Sequence, residues 1–412
     1  MSSRRRRVLG MIIAGGEGTR LQPLTRERAK PAVPFGGKYR LIDFVLSNFV
    51  NSDIFAIYVL VQFKSQSLIE HIAAGWQFGG VLPDHFVSPV PAQMRLGQTW
   101  YQGTADAVFQ NLNLIENFAP DVVAVFGADH IYRLDIRQMI DFHEERDADV
   151  TVATIPVRRE EAGGFGVLAV DEERRVTAFV EKPEDPPTIP GRPGWALASM
   201  GNYIFKTSYL LEALTQLSRS SVTGQDFGQH VLPQRIESGR TFAYDFTTNR
   251  LPGEAPTSAP YWRDVGTVDA YFAASMDLCD ASPALNLYNA QWPVRSVSSS
   301  APPAKFVFDI DGRRGSATNS LISEGCLIEG ANVLGSVLGH SVRIESGAEV
   351  EECVILDGTR IGAGARLRRV IVDKNCQIPA GMMVGLDPAH DRERFATTES
   401  GLVILPKGWR AA

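Results

Sequence analysis

The chain holds only four cysteines in 412 residues, Cys279, Cys326, Cys353 and Cys376, with no C-x-x-C pair and no adjoining histidine pattern. That scarcity points to neither a zinc site nor a disulfide framework, and leaves reduced thiols of the kind expected in the cytoplasm. Long apolar runs are missing too. Nothing approaches the ~18–20 uninterrupted apolar residues of a membrane span, so no membrane partner is expected. A basic surplus is also lacking: 41 Lys plus Arg stand against 47 Asp plus Glu, a formal net charge of −6, which argues against a general nucleic-acid binder. The one basic run, 4–7, leads into a short apolar stretch that ends in a glycine loop without a small-residue cleavage site, and it reads as a solvated tail rather than a secretory signal.

What is present is an ordinary globular composition, 44% apolar and 21% charged, in a chain long enough for two or three domains. The first 280 or so residues alternate between short β-rich runs (8–14, 54–61, 122–126, 150–157, 167–170, 176–180, 203–205 and 242–246) and helix-like stretches such as 41–50, 65–73 and 105–117. Strands separated by helices of this length predict an α/β fold, a Rossmann-like and mostly parallel sheet covered on both faces. Ligands then belong at the carboxyl ends of the strands.

The stretch 281–305, rich in Ser, Pro and Ala and without clean periodicity, reads as a linker or crossing segment. Beyond it aliphatic residues recur every six positions: Ile322, Ile328, Leu334; Leu338, Ile344, Val350, Leu356; Ile361, Leu367; Val372, Ile378, Val384. Three such positions make one coil of a left-handed parallel β-helix, with these side chains pointing into the prism. The expected division is an α/β unit over 1–285, a crossing segment over 286–315 and a β-helix over 316–412.

The first strand ends in Gly15-Gly16-Glu17-Gly18, followed by Arg20 and, ten residues on, Lys30 before Pro31. A P-loop would need Lys-Ser or Lys-Thr after the last glycine, and a dinucleotide loop would need glycine where Leu21 stands. What remains is a glycine bend able to approach a nucleotide with bare backbone amides, and two cations suited to a longer polyphosphate. Pro31 disfavours helix at Lys30 and should present it on a turn.

The stretch "AGGEGTRLQPLTRERAKPAVPFGGKYRLIDF" closely resembles the N-terminal signature of sugar-phosphate nucleotidylyltransferases. The resemblance runs on through "WYQGTADAV", "GADHIY", "FGV", "FVEKP", "ASMGNYIF", "YWRDVGT" and "PPAKF" into the repeats, roughly residues 8 to 405. In its length and motifs the chain looks like the bacterial glucose-1-phosphate adenylyltransferases. The resemblance implies a nucleotidyltransferase that uses ATP and glucose 1-phosphate and releases pyrophosphate. Uridylyl- and thymidylyl-transferring relatives carry other residues at "WYQGTADA", so base choice rests on that analogy.

Two carboxylates stand on turns far apart in sequence: Asp129, after an apolar strand and a glycine, and Asp264 in "YWRDVGT". Such a pair suits Mg²⁺, which keeps several waters and completes its shell with phosphates. By resemblance, Arg20 and Lys30 hold the departing pyrophosphate and Lys182 binds the sugar phosphate. Glu181 hydrogen-bonds glucose hydroxyls, with Gly166 and Ser199 in the sugar pocket. Gly15, Gly16, Tyr101 and Gly103 are expected about the nucleotide.

The family's sugar-phosphate activator site lies between the two units, where Arg28 and Arg40 match and Arg366, Arg368 and Arg369 could supply the other wall. Enteric relatives carry lysine and histidine where this chain has Glu27 and Pro34, and a carboxylate there disfavours a second phosphate. The resemblance also implies a homotetramer. Two rival readings stand beside the main one: a nucleotidylyltransferase for UTP, dTTP or GTP, and a regulatory subunit that has lost the chemistry. The presence of Arg20, Lys30, Asp129, Lys182 and Asp264 together argues against the second.

Overall fold

The computed structural model describes residues 6–94, 99–219, 225–236, 240–255, 257–307, 309–310 and 312–411; Arg4 and Arg5 of the basic run lie outside the described residues. A nine-stranded sheet organises the first unit. In chain order its strands are β1 Val8–Ala14, β2 Ala56–Val61, β3 Phe86–Pro91, β4 Val122–Gly127, β5 Val150–Arg158, β6 Gly166–Val170, β7 Val176–Glu181, β8 Trp195–Lys206 and β9 Thr241–Asp245. Four strands run parallel in the order β4-β1-β2-β3. On the other side of β4 lies β8, antiparallel, and β8 also pairs with β5 and β6.

This order creates the ligand site. After β1 the chain moves to β2 on one side, whereas β4 joins β1 on the other, so the connections leaving β1 and β4 diverge. A crevice opens outside the carboxyl ends of these two strands, where α/β sheets bind ligands. β1 and β4 are buried along nearly their whole length, as expected of strands covered on both faces.

Three local features depart from the periodicity. β3 reads poorly as a strand because of Pro89 and Pro91, yet it lies at the sheet edge, where a missing N–H costs no ladder bond. The helix expected over 105–117 breaks into Thr104–Phe109 and Leu112–Phe118. At the break the Asn111 amide donates to the Ala107 carbonyl and to the Tyr101 hydroxyl, a side-chain competition that ends the first helix. β8 is much longer than the expected 203–205. Its register with β5 jumps between Ser199/Thr154 and Tyr203/Val152, a bulge that holds Gly201 at φ +69° and conceals the strand pattern.

The repeats form a three-faced parallel β-helix of two- and three-residue strands. Three aliphatic ladders fill it: Ile328-Ile344-Ile361-Ile378, Val333-Val350-Leu367-Val384 and Leu338-Ile355-Val372-Leu405. The six-residue reading holds for most positions and needs two corrections. Val333, fully buried, enters the prism in place of Leu334, which is 41% exposed. Leu356 is buried on the outside, against the first unit, while Ile355 fills the interior. Stacking begins with Lys305–Val307 on Leu327–Glu329, ahead of residue 316.

One apolar cluster joins the two units. Leu21, Leu24, Val33 and Phe35, from the segment after the glycine loop, pack with Val354, Leu356, Ile371 and Ile404 of the β-helix. All four cysteines are buried and free, and desolvation pushes their thiols up, Cys353 to about 12. Among the described residues no helix is long and apolar enough to cross a membrane.

Candidate active site

A cleft of about 430 Å³ occupies the crevice at the ends of β1 and β4. Its walls include Gly16, Gly18, Arg20, Lys30, Asp129 and His130. Gly18 adopts φ +62° and caps the short turn Thr19–Leu21. Its carbonyl accepts from the Thr25 hydroxyl at 2.8 Å, and a Cβ on Gly18 would lie 2.9 Å from the Lys30 Cβ. Glycine is therefore required twice over, by the left-handed backbone and by the lysine packed against it. Arg20 is exposed in the cleft. Lys30 opens the short turn Lys30–Ala32, with Pro31 at its second position, and its side chain is buried.

Asp129 follows β4, and Asp264 ends the strand Trp262–Asp264, which pairs antiparallel with His130–Tyr132. The ladder brings together two carboxylates that are remote in sequence. Lys30 Nζ lies 2.9 Å from Asp129 and 3.6 Å from Asp264, and His130 Nε2 lies 3.5 and 3.7 Å from the same two residues. Desolvation in the cleft opposes ionisation of Asp129, but His130 and Lys30 beside it hold its carboxyl well below the usual carboxylate range. Among the described residues no group of three or more His, Cys, Asp or Glu forms a metal cage. Two carboxylates converging on one ammonium do fit a hydrated divalent cation, which needs only one or two protein carboxylates.

Other expected residues lie around this centre. Glu181 ends β7 opposite Gly166 on β6. A Cβ on Gly166 would fall 2.4 Å from the Phe179 ring and 2.9 Å from Glu181 Oε2, so only glycine lets that carboxylate and ring sit there. Lys182 is largely exposed and 3.5 Å from Glu181. Ser199 Oγ accepts from the Gly201 amide at the β8 bulge. None of these four lines the cleft itself; Tyr203, which does, lies beside Ser199 and near Glu181. Its phenol is raised by burial and then by the nearby carboxylates of Asp226 and Glu181.

Gly103 admits the Gln225 carbonyl to 2.1 Å of where its Cβ would be. That approach lets the Thr104 hydroxyl donate to Asp226 at 2.7 Å on the cleft wall. Tyr101 packs behind Gly15 rather than in the cleft, with its hydroxyl accepting from Asn111. Sequence reasoning missed His130, Asp226 and Tyr203. His130 adjoins Asp129 and could have been found there; Asp226, which caps the short helical turn Phe227–Val231, carried no signal of its own.

The five expected activator cations do not come together. Arg28 is 6% exposed and donates from one guanidinium nitrogen to both carboxylate oxygens of Asp373 of the β-helix, at 2.9 and 3.1 Å. Arg40 lines a second cleft, of about 460 Å³, between the two units, together with Lys38, His71, His340 and Lys374. Arg366 and Arg368 form cross-coil pairs with Glu349 and Glu351. Arg369 pairs with Glu352 and covers the Phe272 ring. Successive coils place these carboxylates directly beside the arginines, a register the linear sequence does not reveal.

Comparison with known proteins gives the family of both units. The nucleotidyl transferase family model matches residues 9–281, and the GlmU-like C-terminal hexapeptide model matches residues 302–405. The glucose-1-phosphate adenylyltransferase of Deinococcus radiodurans is 52% identical over 409 residues, 98% of this chain and 99% of the relative. That of Thermus thermophilus is 53% identical over 409 residues, with the same coverage of 98% and 99%. Glucose-1-phosphate adenylyltransferase 1 of Vibrio parahaemolyticus is 48% identical over 403 residues, 98% of each chain.

Proposed function

The chain belongs to the glucose-1-phosphate adenylyltransferases of the nucleotidyl transferase family, and on that premise we propose how its cleft carries the reaction. The enzyme transfers the adenylyl group of ATP to α-D-glucose 1-phosphate, giving ADP-glucose and pyrophosphate. A phosphate oxygen of the sugar forms a bond to the α-phosphorus of ATP. The bond from that phosphorus to the bridging oxygen breaks, and pyrophosphate leaves with the electron pair. The attacking phosphate is already anionic at neutral pH, so catalysis consists of positioning and charge stabilisation.

Arg20 and Lys30 hold the departing pyrophosphate, and Lys182 holds the attacking phosphate against like-charge repulsion. Glu181 accepts from the glucose hydroxyls, with Gly166 and Ser199 beside it. Gly16, with Gly15 before it, lets backbone approach the nucleotide, while Gly103 shapes the facing wall by admitting the Gln225 carbonyl and Tyr101 supports it. Asp129 and Asp264 would hold Mg²⁺, which when bound neutralises the facing phosphates. The observation that carries the reading is the meeting of Arg20, Lys30 and Asp129 in one cleft at the divergence of β1 and β4. Pyrophosphate release with glucose 1-phosphate and Mg²⁺, measured separately for ATP, UTP, dTTP and GTP, tests it. ATP should be strongly preferred; equal use of another triphosphate favours the rival base, and no release with any favours the regulatory-subunit reading.

The regulatory reading assigns a sugar-phosphate activator to the region between the units, with Arg40 facing the anion and Arg28 behind it. Arg366, Arg368 and Arg369, held by glutamates, are the weaker part of that assignment. Glu27, paired with Lys407 at 2.8 Å, supports a monophosphate such as fructose 6-phosphate over a bisphosphate. We take the enzyme to be a cytoplasmic homotetramer serving the committed, regulated step of glycogen or another α-glucan.

A further inference from the structure

We infer that Asp373, a β-helix residue outside the cleft, is a positioning residue for Lys30 and acts through Arg28. The inference rests on the proposed role of Lys30 at the departing pyrophosphate. Arg28 presents one guanidinium nitrogen to both oxygens of Asp373, and the two residues are 6% and 1% exposed. Asp373 is itself fixed by the coil: its amide donates to the Leu405 carbonyl, its carbonyl accepts from Thr359, and its carboxylate accepts from the Lys374 amide at 2.7 Å.

Between Arg28 and Lys30 stands only Ala29, fully buried, with its amide donating to the Lys64 carbonyl at 3.1 Å. The lysine then emerges with its Cβ against Gly18 and its ammonium between Asp129 and Asp264. No slack separates the anchor in one unit from the ammonium in the other. The neighbouring Glu27–Lys407 pair is exposed and contributes little by comparison.

Burying an ion pair is a poor way to gain stability, since apolar residues of similar volume often serve as well or better. A charge-assisted pair does fix direction, which a greasy contact does not. The apolar contacts of Leu21, Leu24, Val33 and Phe35 hold the segment onto the β-helix, and the Arg28–Asp373 pair sets where along it Lys30 projects.

The test is a double-mutant cycle on kcat of the full-length enzyme with saturating ATP, glucose 1-phosphate and Mg²⁺. Asp373→Asn should lower kcat about tenfold, as a displaced charge does, while leaving KM for glucose 1-phosphate nearly unchanged. In a Lys30→Ala background the same substitution should cost almost nothing further. If Asp373→Asn does not fold, the apolar pair Arg28→Met with Asp373→Val replaces it, with a thermal melt reporting the fold. Equal losses in both backgrounds, or full activity of the uncoupled enzyme while Lys30→Ala is crippled, overturns the inference alone. Full activity of Lys30→Ala removes the proposed role of the lysine and this inference with it.

Discussion

Lys30 and Asp129 are ion-paired at 2.9 Å across 99 residues of sequence, at the mouth of the crevice between β1 and β4. Asp264 lies 3.6 Å from the same ammonium, so before any substrate enters, the lysine already answers two carboxylates. The two carboxylates hold the ammonium in position, and they repel a phosphate unless a cation stands between them and it.

Asp129→Asn keeps the shape of a side chain that is 41% exposed, so it should fold with a melting temperature close to that of the parent. Its kcat should fall by roughly 10²–10³-fold, as when one preorganised charge or donor is removed. Steady-state kinetics beside a thermal melt measures both. Turnover near the parent's would take Asp129 out of the mechanism.

Gly18→Ala should be destabilised by about 1–2 kcal/mol, because alanine resists a left-handed backbone. It should also lose turnover, since the new methyl group would press on the Lys30 Cβ from 2.9 Å. Gly16→Ala, with nothing within 4 Å of its Cβ, is the control for stability. Urea midpoints that are equal for the two variants would contradict this account.

His143, on the helix Ile136–Glu145, is buried with Nδ1 2.8 Å from the Thr151 hydroxyl, and desolvation brings its pKa down from 6.5 to about 4. The unfolded chain thus takes up a proton that the fold refuses. Stability is retained above pH 6.5 and falls as the pH drops from there toward 4. The contribution of this residue to that slope is about 1.4 kcal/mol per pH unit. Urea unfolding across this range should show a shallower slope for His143→Gln; an unchanged slope would remove His143 as the cause.

Fructose 6-phosphate should activate more strongly than fructose 1,6-bisphosphate. Lys407 first, and then Arg28 and Arg26, hold the Glu27 carboxyl below its usual value, so it stays anionic at neutral pH and repels a second phosphate. Activity titrations with each compound decide the order, and a stronger response to the bisphosphate sinks the assignment.

Much of the centre was legible because each of its charged residues follows a strand or turn signal. Asp129 comes just after the "VVAVFG" strand, Lys30 just before a proline, and Arg20 just after the glycine bend. Their convergence follows from strand order, and the meeting of Asp264 with Asp129 from one short ladder beside His130. What escaped was set by three-dimensional register. The arginines at 366, 368 and 369 look like a basic cluster in the linear chain, but the preceding coil supplies a glutamate for each. Likewise Leu334 and Val333 are both aliphatic, and only the orientation of that coil decides which one fills the prism. Arg28 read as an activator-site cation, and nothing in the linear chain pointed to its buried pairing with Asp373, 345 residues away.

The apolar cluster shared by the glycine-loop segment and the β-helix has a consequence for how such enzymes can be recombined. Leu21, Leu24, Val33 and Phe35 pack with Val354, Leu356, Ile371 and Ile404 in one cluster, so in this chain the two halves form a matched set. A chimera that takes its β-helix from a relative must import the facing residues of the loop as well. Otherwise the mismatch is written first into the stretch that carries Arg20 and Lys30, and the graft would fail as a catalyst before it failed as a fold.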